Sequence, residues 1–178
     1  MTDDLFSKNF FEIFDIAVAT DIDLAKISDT NRELQKSVHP DRFAQASEHD
    51  RRIAMQQTSL INEAFQTLKD PVARIQYMLK LKGVDMDSET DTTMDGAFLM
   101  QQMEFREAIA EVRSHSDELD KMLAQTKRQI AELMAAFTEY YEKTMLDEAR
   151  EIVRKMQFLI KAQKEIKEIS AQLEDEMF

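Results

Sequence analysis

The chain has 178 residues and a formal net charge of −12, enough for one ordinary domain or two small ones, with a surface that repels nucleic acid phosphates and anionic lipid. It has no Cys and three His, none beyond position 115, which excludes disulfides, thiolate metal ligands and a cysteine nucleophile and leaves little for a histidine metal site. With hydrophobic residues at 43 %, two Gly and two Pro, the composition favours a real core built from long helices with few turns.

No apolar run approaches the roughly 18 residues of a membrane span. The first eight residues carry Asp3 and Asp4 and do not read as a signal peptide. The expected setting is a reducing cytoplasm, and the expected partner is another protein, with no nucleic acid and no membrane.

Phe6, Phe10, Phe11, Phe14 and Ile16 open the chain as a short helical or turn-like apolar cluster, followed by cap or turn residues Thr20 and Asp21. Leu24, Ile27, Leu34 and Val38 then follow helical spacing, with Asn31 as a polar break, until Pro40 stops the element. A second helix is predicted from Glu48 to Leu68 through Ile53, Ala54, Gln57, Ile61, Ala64 and Phe65. Asp70-Pro71 starts a third, which runs through Val72, Ile75, Tyr77, Met78 and Leu81 to a C-terminal cap at Gly83. Residues 84–95 are polar and aperiodic, the expected boundary. Both sides of a division after residue 75 are acidic, with net −4 before it and −8 after it.

Beyond residue 95 the pattern becomes heptad-like. Leu119, Leu123, Thr126, Ile130, Leu133, Phe137 and Tyr140 alternate steps of four and three, as do Met145, Ala149, Ile152, Met156, Leu159, Gln163, Ile166, Ser170, Leu173 and Met177. Two long antiparallel helices, Ser116 to Tyr141 and Leu146 to Met177, are predicted beside a shorter one, Gly96 to Arg113. The short gap between the long pair favours an intramolecular three-helix bundle over a dimeric coiled coil. In the shorter helix Phe98, Gln102, Phe105, Ile109 and Val112 share the core face. Met100, Met103, Glu104, Glu107 and Glu111 lie opposite, with Leu99 at the edge. An apolar strip with an acidic rim, pointing away from the core, has the character of a protein-binding face, although a solvated helix face looks much the same.

His39-Pro40-Asp41 lies between the first two long helical patterns. By itself a tripeptide carries little. In register with Phe10-Phe11-Glu12-Ile13-Phe14 before it and Ile61-Asn62-Glu63-Ala64-Phe65-Gln66-Thr67-Leu68-Lys69-Asp70-Pro71 after it, the arrangement resembles the J-domain, the module by which co-chaperones stimulate DnaK-type ATPases. Val38 departs from the aromatic residue or His usual before this loop. The resemblance implies that Arg32, Lys36, His39, Pro40 and Asp41 meet the chaperone. Asp29 and Glu33 dilute the basic patch, and Arg42 is either a partner contact or a solvated cation. Phe43 is expected to fill the gap between helices.

Phe98-Leu99-Met100-Gln101-Gln102-Met103-Glu104-Phe105-Arg106-Glu107 and Arg154-Lys155-Met156-Gln157-Phe158-Leu159 resemble the C-terminal domain of the HscB family, the J-proteins of bacterial iron–sulfur cluster assembly. The family implies an all-α chain with a J-domain (1–83), a linker (84–95) and a three-helix scaffold-binding domain (96–178). It implies two partners, the chaperone HscA and the cluster scaffold IscU. Leu99, Met100, Met103, Glu104, Glu107, Glu111 and Phe158 would form the scaffold face, with Met103 in place of the more usual Leu. The N-terminal metal-binding cysteines of some members have no counterpart. No cofactor, metal ligand or catalytic residue is assigned. An adaptor for a different client is the alternative, and an acid–base role for His39 and Asp41 lacks a group to orient the base.

Overall fold

The structure, a computed structural model, describes residues 5–43, 46–86 and 96–176, with the side chains of Pro40 and Glu176 outside the description. Among the described residues all regular structure is helical. A 3-10 turn, Leu5–Ser7, precedes α1 (Phe10–Ile13), α2 (Leu24–Val38), a second 3-10 turn (Pro40–Phe43), α3 (Glu48–Lys69), α4 (Pro71–Leu81), α5 (Gly96–Glu111), α6 (Ser116–Glu142) and α7 (Leu146–Glu176). No described helix is long and apolar enough to cross a membrane. Compact packing divides the chain between Met78 and Leu79, inside α4, whereas the polar stretch read as a linker lies at 84–95, of which 87–95 fall outside the described residues.

In the first unit, α2 and α3 form a hairpin on which α1 packs. Phe11, Ile13 and Phe14 of the opening cluster are buried with Ile27, Val38, Ile61, Ala64, Leu68 and Ile75, while Phe6 stays exposed. Phe10 stacks on Tyr77 with ring centroids 4.2 Å apart, and its backbone N–H donates to the Tyr77 hydroxyl at 3.1 Å. A part-buried phenol finds its partner in this way. Asp23, not Thr20 or Asp21, caps α2: its Oδ1 accepts from the N–H groups of Ala25 and Lys26 at 2.9 and 3.0 Å. Leu24 is consequently the first helical residue and is exposed rather than part of the core stripe. Between the hairpin helices, Gln35 Nε2 donates to Asn62 Oδ1 at 2.7 Å.

Asp70 ends one helix and starts the next. Its N–H donates to the Gln66 carbonyl at 3.2 Å, and its Oδ1 accepts from Val72 and Ala73 at 2.8 Å each, with Pro71 at a position where a missing N–H costs nothing. Arg74 is buried and donates to the Leu68 carbonyl at 2.7 Å. Burial pulls its pKa below the usual guanidinium value, against the opposing fields of Asp21 and Asp70. Gly83 closes α4 at φ +83°, with Val84 N–H on the Leu79 carbonyl and Gly83 N–H on that of Lys80, the paired bonds of a Schellman end.

In the second unit α6 and α7 pack along their length and α5 lies chiefly on α7. Leu119, Thr126 and Phe137 of α6 and Ala149, Ile152, Met156, Leu159 and Ile166 of α7 are buried as the heptad reading expects. Val153, Ala162 and Ile169 are buried as well, and Met145 is exposed. The reason is geometric. Ala162, Ile166 and Ile169 share one cluster with Ile109 of α5 and Leu119 of α6, so α7 is covered from two sides and its buried stripe is wider than a two-helix seam.

Candidate partner-docking sites

Pro40 cannot extend α2, so the chain turns at His39 (φ −58°, ψ 132°) into the 3-10 turn that packs on α3. Val38 is buried and Phe43 half-buried, so the turn is anchored at both ends. Between them His39 and Asp41 point outward, their side chains 58 % and 90 % exposed. His39 Nδ1 accepts from the Asp41 N–H at 3.3 Å and lies 3.5 Å from Asp41 Oδ2. A neutral Nδ1 suits the first contact and a protonated one the second. No third group orients the ring among the described contacts, and both side chains face solvent.

Arg42 Nη1 reaches back to the Lys36 carbonyl at 3.5 Å, a long contact across the end of α2. Arg32 pairs with Asp29 at 3.1 Å, both side chains 74 % exposed; an ion pair this open is weak and its cation stays accessible. Lys36, one turn further on, is exposed. The structure thus brings Lys36, His39 and Asp41 to the end of one hairpin, with Arg32 a turn away. Pro40 begins the 3-10 turn, and its side chain lies outside the description.

The second candidate site lies on α5. Phe98 and Ile109 are buried and Gln102, Phe105 and Val112 half-buried, so the helix is held by the face the periodicity assigns to the core. The opposite face is open: Leu99, Met100 and Met103 are 44, 63 and 64 % exposed, and Glu104, Glu107 and Glu111 are exposed beside them. Phe158 differs from these. It is half-buried on α7, its ring edge-on to Phe98 (centroids 6.0 Å, 85°) and Phe105 (5.7 Å, 80°). It therefore belongs with the core-facing side of α5, and it also borders a cleft of about 690 Å3 lined from α5, α6 and α7. Sequence periodicity gave no sign of that cleft, because it treats Leu133 and Leu159, both in its lining, as seam residues. Among the described residues no group of three or more His, Asp or Glu is placed to hold a metal ion.

Residues 94–167 match the family model described as the HSCB C-terminal oligomerisation domain. The co-chaperone protein HscB homolog of Shewanella woodyi is 40 % identical over 176 residues, covering 96 % of this chain and 99 % of that protein. The homolog of Pseudoalteromonas atlantica is 41 % identical over 165 residues, covering 89 % and 94 %. Among solved structures, chaperone HscB from Vibrio cholerae matches with a TM-score of 0.83 at 34 % identity over 93 % of this chain and 99 % of that one. The human co-chaperone protein HscB matches at 0.82 and 30 % identity over 90 % and 81 %. With relatives of this identity matched over almost its whole length, the chain belongs to the HscB family of co-chaperones.

Proposed function

We propose how this co-chaperone of iron–sulfur cluster biogenesis meets its two partners, an HscA-type chaperone of the DnaK class and an IscU-type scaffold. The first unit carries the chaperone contact. His39, Pro40 and Asp41 dock on the chaperone and promote its ATP hydrolysis, while Arg32 and Lys36 speed the encounter by charge complementarity. The chain itself carries out no covalent chemistry and is not an enzyme. Residues 1–83 form the J-domain, 84–95 the linker and 96–178 the scaffold-binding domain, and the protein works in the cytoplasm.

Leu99, Met100 and Met103 form the apolar centre of the scaffold contact, with Glu104, Glu107 and Glu111 as its acidic rim and Phe158 as its support from behind. One observation carries the reading: α5 is held through Phe98, Phe105 and Ile109, yet its opposite face leaves three large apolar side chains open to solvent. Methionines adapt to a partner's shape at small cost, and carboxylates around them exclude acidic competitors. Calorimetric titration of the full chain with an IscU-type scaffold tests it. Binding should be lost when the strip is made polar, as in M100E/M103E; unchanged affinity would move the scaffold contact elsewhere.

A further inference from the structure

The exposed strip of α5 ends at the cleft described above. Glu104, one of the rim carboxylates, also lines that cleft, so the two surfaces are continuous. Phe105, Leu133 and Phe158 supply apolar lining, while Gln129 and Glu132 of α6 add acceptors to that of Glu104. Lys155 is the one cation in the lining against two carboxylates, so the cleft is net negative.

Gln129 adds a second observation. Its Oε1 is buried and has no hydrogen-bond partner among the described residues. A buried acceptor left unpaired is costly, and a donor brought in by a partner would satisfy it. The phenyl rings of Phe105 and Phe158, edge to face with each other, offer π-surface that attracts cations. The cleft thus combines apolar walls with carboxylate and amide acceptors. An apolar ligand would leave those acceptors desolvated, whereas a long side chain with a cationic head would use both.

We infer that the cleft receives a basic side chain, arginine above all, from the scaffold segment that seats on α5, and that Gln129 and Glu132 of α6 are specificity-determining residues for that partner. The inference rests on the scaffold reading above. Arginine fits better than lysine because its planar guanidinium carries five donors and stacks on aromatic rings. It can reach several of these acceptors at once, while its stem lies along Leu133 and the phenyl rings.

Two substitutions on α6 test this in the full chain, read by calorimetric titration with an IscU-type scaffold and by thermal unfolding of the free protein. Glu132 is exposed, so E132K should leave the fold intact, weaken scaffold binding about tenfold or more and flatten its salt dependence. Q129M removes the unpaired acceptor. It should weaken scaffold binding while raising the Tm of the free protein, a split that a purely structural role for Gln129 would not produce. Wild-type affinity in both variants, with L99A/M103A still impaired, would overturn the cleft inference alone. Wild-type affinity in L99A/M103A as well would overturn the scaffold reading and the inference with it. If E132K instead changes the sedimentation of the free protein, the cleft holds a second copy of this chain and the inference fails.

Discussion

His39 and Asp41 meet across Pro40: one ring nitrogen of His39 lies 3.3 Å from the backbone nitrogen of Asp41 and 3.5 Å from its carboxylate. Both side chains are exposed, and the anchoring of the turn comes from buried Val38 and half-buried Phe43. Replacing His39 should therefore spare the fold. H39Q is expected to unfold within about 0.5 kcal/mol of wild type, as surface changes do, and to abolish stimulation of the chaperone's ATPase. Steady-state ATP turnover at saturating co-chaperone, with circular dichroism as control, checks it; normal stimulation by a folded variant would sink the assignment.

In the proposed docking, Arg32 and Lys36 act earlier, on the encounter. Because Arg32 shares its charge with Asp29 in an open ion pair, its contribution should be electrostatic and easily screened. R32A/K36A is expected to slow association with the chaperone about tenfold at low salt, with the difference shrinking as salt rises. Stopped-flow association at two ionic strengths decides it, and a deficit independent of salt would mean that packing rather than steering was lost.

L99A/M103A and F158A should separate binding from stability. Leu99 and Met103 are exposed, whereas the Phe158 ring packs edge-on against Phe98 and Phe105. The double variant should lose about 2 kcal/mol or more of scaffold affinity, roughly thirtyfold, with its melting unchanged. F158A should lose roughly 2 kcal/mol of stability from the missing aromatic packing, less than a fully buried Phe would. Equal stability losses in both variants would contradict this division.

Tyr77 links stability to alkaline pH. Burial is the largest cause raising its pKa above 10.0, opposed by its hydrogen bond with Phe10. The folded state therefore keeps its proton where the unfolded chain has begun to lose it. That contribution is fully present below pH 10.0 and falls away as pH rises from there through the folded pKa. Y77F should cost about 1 kcal/mol at neutral pH, from the lost bond to the Phe10 N–H. It should also flatten the stability profile above pH 10.0. Urea unfolding across that range measures both; parallel profiles for the two proteins would count against Tyr77 as a source of the slope.

Thr144 joins α6 to α7 at φ 59°, a left-handed conformation that a β-branched residue adopts with strain. It completes a turn in which the Met145 N–H reaches the Tyr140 carbonyl at 2.9 Å. T144G should relieve that strain and stabilise the protein by about 1 kcal/mol, glycine's extra freedom in the unfolded chain offsetting part of the gain. A lower urea midpoint for the variant would show that the threonine side chain holds the turn.

The sequence alone determined where the long helices lie, because their signals are local, although it misplaced the cap of α2. Asp70-Pro71 and Gly83 cap and break the chain through their own backbone chemistry, and Pro40 ends α2 whatever surrounds it. The same holds for the open face of α5, since a core stripe through Phe98, Phe105 and Ile109 leaves Met100 and Met103 no direction but outward. What needed the tertiary structure was every feature set by a second neighbour. The three-four rhythm of α7 describes contact with one helix, but Ala162 and Ile169 are buried because α5 and α6 both cover them. Phe158 follows the same rule. One step off the seam it could face solvent or core, and only the rings of Phe98 and Phe105, more than fifty residues away, decide that it packs inward. The cleft beside it belongs to three helices at once, and a one-dimensional period holds no record of where a third helix leaves a gap.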